Sequence, residues 1–157
     1  MLRYADIIRR VNAILKDKYP DIRRYGRDTV DKAITPYFFV SCVPLVSEHE
    51  SRNLNRKACI IRITYVQRVA DQADNLDKLD ALYDAFGLTL SIPEADSPTV
   101  TRKLHVYEYA CDYVGEDDNI LQISFTLRWY DSTQGEYDGT GDGVELMKNV
   151  NVNYTED

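Results

Sequence analysis

The sequence predicts an α+β domain, a sheet built from hairpins with amphipathic helices packed on it, and three patterns predict it. Residues 3–18 repeat apolar side chains at helical spacing. Residues 119–130 alternate apolar and polar with period two. Between them lie further apolar runs and a second helical stripe, punctuated by Gly and Pro.

In the first helix Tyr4, Ile7, Ile8, Val11, Ile14 and Leu15 form one face, and Arg9, Arg10, Asn12, Lys16 and Asp17 the other. Pro20 disfavours helical geometry at Tyr19 and ends the element. Ile22 to Tyr25 reads as a short strand before a turn at Gly26. Tyr37 to Val43 is apolar on both parities, the pattern of a strand covered on both faces, and Pro44 makes its far end an edge. Residues 58–67 form its hairpin partner, with Cys59, Ile61, Ile63 and Tyr65 on one face. Ser47 to Lys57 reads as an exposed charged connector between them. The second helix spans 73–86, with a stripe of Leu76, Leu79, Leu82, Tyr83 and Phe86. Asp71, Asp74 and Asp77 favour its N-terminal dipole, and Gly87 is placed to cap its end. Leu88 to Ile92 reads as a strand and Pro93 to Pro98 as a loop. The closing hairpin pairs 103–114 with 119–130, and its second arm sets Leu121, Ile123, Phe125, Leu127 and Trp129 against Gln122, Ser124, Thr126, Arg128 and Tyr130. Residues 131–143 read as a polar, glycine-rich loop, so the expected division is one domain over 1–143 and a C-terminal tail over 144–157.

A chain of 157 residues buries enough surface to fold without a metal or disulfide staple. No stretch reaches the ~18 apolar residues of a membrane span, and Met1-Leu2-Arg3-Tyr4 opens no apolar signal region. Cys42, Cys59 and Cys111 each sit in an apolar run and are expected as buried, reduced thiols. Twelve tyrosines, each with an apolar face and a polar tip, suit half-wet sheets and interfaces. The net charge of −7 argues against DNA binding as the main task. That charge is divided: residues 1–68 hold 14 Lys/Arg against 7 Asp/Glu, and residues 69–157 hold 5 against 19. Such asymmetry can steer one copy onto the next, unless the halves interleave in space.

Residues able to carry catalysis are missing from any working pattern. His49 lies in a solvated Glu48-His49-Glu50 cluster and His105 within a strand, and neither belongs to a HExxH or GxSxG context. No phosphate-binding or dinucleotide glycine loop occurs. Arg9, Arg10, Arg23, Arg24 and Arg27 form a basic patch without a nucleic-acid reading motif, so a solvated face or protein interface is expected. Asp138-Gly139-Thr140-Gly141-Asp142-Gly143 has the first half of a calcium loop, but position twelve is Asn149 in place of a bidentate Glu, and a flexible acidic turn is the simpler reading. No cofactor, metal or enzymatic role is expected.

The order of these segments carries a resemblance. An N-terminal helix leads to Tyr19-Pro20-Asp21-Ile22-Arg23-Arg24-Tyr25-Gly26, then Ile34-Thr35-Pro36-Tyr37-Phe38-Phe39-Val40, then Asn55 through Tyr65, then a leucine-striped helix and a closing hairpin. Over residues 1–130 this resembles the tail terminator (tail completion) proteins of tailed bacteriophages and prophages. It departs from their pattern at Arg27, where an acidic residue is common, and in the length of chain after Asp131. The resemblance implies a mixed or antiparallel sheet flanked by two or more helices, and a structural virion protein assembled in the host cytoplasm. It implies a homo-oligomeric ring, usually hexameric, at the head-proximal end of the tail. The implied partners are other copies, the tail tube protein and the head–tail connector or head completion protein. DNA would pass through the lumen without specific binding, and no membrane is involved. Two segments are expected to carry partner contacts, since both are polar and tethered to strands: Glu48, His49, Glu50, Arg52, Arg56 and Lys57 in one, and Asp131, Glu136, Asp138 and Asp142 in the other. Other readings are a different neck component of the same particle, or a calcium- or ligand-binding module using residues 138–143.

Overall fold

A computed structural model describes residues 2–26, 33–51, 54–94, 97–115 and 120–132. The elements run α1 (Tyr4–Lys18), β1 (Arg23–Tyr25), β2 (Tyr37–Ser51), β3 (Leu54–Val66), α2 (Gln72–Phe86), β4 (Thr89–Glu94), β5 (Ser97–Val114) and β6 (Ile120–Ser132). The six strands lie in the order β1-β2-β3-β6-β5-β4. Among the described strands only β1 and β2 pair in parallel; every other neighbouring pair is antiparallel. This is the α+β class, with a mixed sheet and two helices.

Both helices form for reasons visible in their ends. At the start of α1, Asp6 Oδ2 accepts the Arg3 backbone N–H at 3.2 Å, and the Tyr19 N–H closes the last turn on the Leu15 carbonyl at 2.9 Å, before Pro20. Ile7, Val11 and Leu15 are buried and Tyr4, Ile8 and Ile14 pack beside them. Each such fully buried Ile or Leu contributes about 1.5–3 kcal/mol. In α2, Asp71 caps the N-terminus by accepting the Ala73 N–H at 2.9 Å. Gly87, at φ 56°, returns its N–H to the Tyr83 carbonyl at 2.8 Å. Asp74 then gathers donors from Tyr65, Gln67 and Lys78, tying α2 to the end of β3.

The core lies between these helices and one face of the sheet. Phe38, Val40, Cys59, Ile61, Ile63, Tyr65, Leu121, Ile123, Phe125, Leu127 and Trp129 alternate along β2, β3 and β6 and point into it. Leu90, Ile92, Leu104 and Val106 of β4 and β5 complete it. Phe86 meets Phe125 at 5.2 Å and Tyr4 meets Trp129 at 5.4 Å between ring centroids, which fixes each helix to the middle of the sheet. The opposite face carries no helix among the described residues. There Tyr37, Phe39, Val43, Ile60 and Thr64 are half-buried and Arg62 is exposed.

Several expectations change in position. Ser47 to Lys57 is not a loose connector: β2 and β3 continue through it, with Glu48 opposite Arg56 and Ser51 opposite Leu54. Polar residues hold this stretch extended because β3 also pairs with β6 as far as Ser132 and because Arg56 bridges to Glu48 and Glu50. The expected loop at Pro93–Pro98 is mostly strand, since β4 reaches Glu94 and β5 starts at Ser97. Tyr37–Val43 is fully covered on one face only. Leu76, expected in the buried stripe, is 47% exposed. The buried face of α2 runs through Asn75, Leu79, Leu82 and Phe86, one residue aside. Of the three cysteines, Cys59 is buried, Cys42 is half-buried and Cys111 is exposed, because β5 is a sheet edge there. Asp131 and Ser132, expected at the start of a loop, belong to β6. The 138–143 loop, the tail from 144, and Arg27 lie outside the described residues.

Candidate assembly interface

Strand alternation separates two clusters at the far end of β3 and β6. Lys57 points to the helix side and Arg56 to the open face. On the helix side, Asp131 is 1% exposed and its carboxylate accepts four donors: Arg102 Nη1 at 2.6 Å, Lys57 Nζ at 3.0 Å, Trp129 Nε1 at 3.2 Å and the Leu2 N–H at 3.4 Å. Desolvation pushes this carboxyl up, but the hydrogen bonds and the charges of Lys57 and Arg102 outweigh it and hold it below the usual carboxylate range. Asp131 and Lys57 are therefore structural; they join the segment before α1 to β3, β5 and β6.

On the open face the groups are exposed. Arg56 bridges Glu48 and Glu50, and it stands opposite Tyr130 across the β3–β6 pair. Tyr130 is 51% exposed and the neighbouring Leu54 is also exposed. One row away, the Arg128 guanidinium sits 5.3 Å from the Tyr107 ring and 2.9 Å from Glu108 Oε1. Tyrosine and arginine presented together on this sheet face match the residues enriched at protein–protein contact centres. The outer edge of β2 adds to this surface: β1 pairs only with Tyr37 to Phe39, and no other described strand pairs with β2 from Val40 to Ser51 on that side.

Of the residues expected at an interface, Glu48, Glu50 and Arg56 come together and His49 is exposed on the same strand. Lys57 and Asp131 turn inward. Arg52, Glu136, Asp138 and Asp142 lie outside the described residues. Sequence reasoning missed Leu54, Tyr107 and Tyr130; the signal for them was a bulky side chain at the polar parity of an alternating strand. The basic patch is partly neutralised, since Arg9 pairs with Asp6 at 2.9 Å.

Among the described residues no three His, Cys, Asp or Glu side chains are grouped to hold a metal. The Cys59 thiol, which hydrogen-bonds to Cys42 and is buried, is pushed up, and Cys42, the other partner of that bond, is lowered. No described helix is long and apolar enough to cross a membrane.

Among the described residues the sheet has one helix-packed face, one face without a helix, and an outer β2 edge that no strand pairs beyond Phe39. The family model described as phage tail terminator protein matches residues 6–138, and the chain belongs to that family. It is thus a structural protein of the bacteriophage tail. No curated protein matches it. Among solved structures, one protein without a descriptive name shares 15% identity over 82% of this chain and 92% of its own, with a TM-score of 0.43. That likeness is too loose to carry an argument.

Proposed function

We propose that copies of this chain close into a ring on the head-proximal end of the tail tube. The ring halts tube growth and presents a new surface to the head connector. The family match over residues 6–138 carries this reading. The open sheet face and the free β2 edge support it, because both leave surface and backbone groups for neighbouring protein to cover. A ring requires a head-to-tail contact whose rotation closes. Termination is then a matter of shape: one face of the ring fits the last ring of the tube, and the other face differs from it, so no further tube subunit adds. No covalent step is involved. DNA crosses the lumen without sequence-specific contact.

Electron microscopy of particles made without this gene tests the reading. Overlong tails lacking heads are expected. Tails of normal length joined to filled capsids would refute it.

A further inference from the structure

We infer that the ring closes by strand addition: the free edge of β2 in one copy takes the free edge of β5 from the next. This rests on the ring reading above and specifies its contact. Strand directions carry the argument. Antiparallel pairing links β2 to β3, β3 to β6 and β6 to β5, so β2 and β5 run in opposite directions. They also bound the four antiparallel strands on opposite sides. A rotation about an axis along the strands therefore brings β5 of one copy alongside β2 of the next in antiparallel order. Each junction continues the alternation of the sheet itself. A twofold pairing of β2 with β2 would satisfy one edge of each copy and leave both β5 edges bare.

The two edges match in extent and chemistry. On β5 the segment Tyr107 to Val114 borders β6 on one side, and on the other side no described strand pairs with it. On β2 the segment Val40 to Ser47 is uncharged and no described strand pairs with its outer side, so Glu108 and Asp112 meet no acid there. β1 already occupies this same edge at Tyr37 to Phe39, so the added strand would extend an existing row. Beside the β2 edge, an apolar groove is lined by Ile8, Val40, Cys42 and Pro44. β5 turns Cys111 and Tyr113 to the helix side, the side on which this groove opens. Strand addition of this kind gains affinity from main-chain hydrogen bonds and specificity from such alternate side chains.

The native cysteines supply the test. Cys42 lies at one edge, Cys111 at the other, and Cys59 is fully buried. Full-length Cys111→Ser and Cys42→Ser proteins, one carrying an affinity tag, are treated with a short-arm bismaleimide, separately and mixed, after native mass spectrometry has recorded their oligomers. Cys42→Ala serves if the serine variant is unfolded. Cross-linked pairs are expected in the mixture and not in either protein alone, and wild type is expected to give a ladder beyond dimer. A product from Cys111→Ser alone would mean β2–β2 pairing and overturn the inference. Rings that form without any cross-link overturn it too, and leave the ring reading standing. Monomers at every concentration, with and without tail tubes, would sink the ring reading itself.

Discussion

Arg56 and Lys57 are consecutive basic residues on one strand, and they live in different physical worlds. Lys57 ends against a buried carboxylate that also holds Arg102, Trp129 and the Leu2 amide. Arg56 ends in water against Glu48 and Glu50. Buried, a charge pair must be kept whole, because removing one member leaves an unpaired charge in a poorly solvating site. Exposed, a pair of the same composition adds little to stability and remains available to a partner. The lesson is that a charged segment is not one functional unit; strand geometry divides it residue by residue.

The largest expected effect breaks the buried side. Asp131→Ala leaves Lys57 and Arg102 without their shared acceptor, and should lower unfolding stability by about 3–5 kcal/mol in denaturant titration. A loss below about 1 kcal/mol would show that water takes over the acceptor role and that the cluster is not closed. Next comes acidity. Asp131 and Asp74 both have carboxyl groups held below the usual range in the fold: burial raises each, but hydrogen bonds and nearby cations outweigh it. Their stabilisation is present above the unfolded carboxylate value near 3.8 and is lost as pH falls through the lower folded values. Unfolding midpoints should therefore drop below about pH 4, and Asp131→Asn should flatten that drop; an unchanged acid limb would contradict the assignment. A smaller loss is expected at the α2 cap, where Asp71→Ala removes the acceptor for Ala73 and costs about 1 kcal/mol. Last, Arg56→Ala should leave the thermal midpoint where it is while weakening assembly on tail tubes, read by co-sedimentation. Unfolding as severe as that of Asp131→Ala would erase the contrast between the two faces.

Much of the architecture was legible because periodicity reports burial. Ile7, Val11 and Leu15 on α1 and the Leu121–Trp129 series on β6 repeat at the spacing of their elements, and all are buried. The arm from Ser47 to Lys57 was not legible, since it is held by pairing with β6 and by cross-strand charge, neither of which leaves an apolar rhythm. Leu76 misled for a related reason: the helical stripe fits two neighbouring faces, and the one packed on the core carries Asn75, Leu79, Leu82 and Phe86. The Asp131 cluster joins residues 129 positions apart, a distance at which one sequence gives no signal. The family resemblance was legible from segment order, and the model match over 6–138 agrees with it. The open-face tyrosines were visible as letters but needed the sheet to become a surface.

One turn of the backbone has a consequence for how the wall of this sheet is built. β5 pairs with β4 up to His105 and with β6 from Val106, and its register shifts between Tyr107 and Ala110, where Glu108 adopts φ 54° and binds Thr126 and Arg128. A strand shared between two neighbours at a fixed corner cannot slip along one without tearing from the other. Glu108 thus acts as a detent. At this one-residue bulge odd and even positions change faces, so Val106 points to the helix side before it and Cys111 and Tyr113 after it.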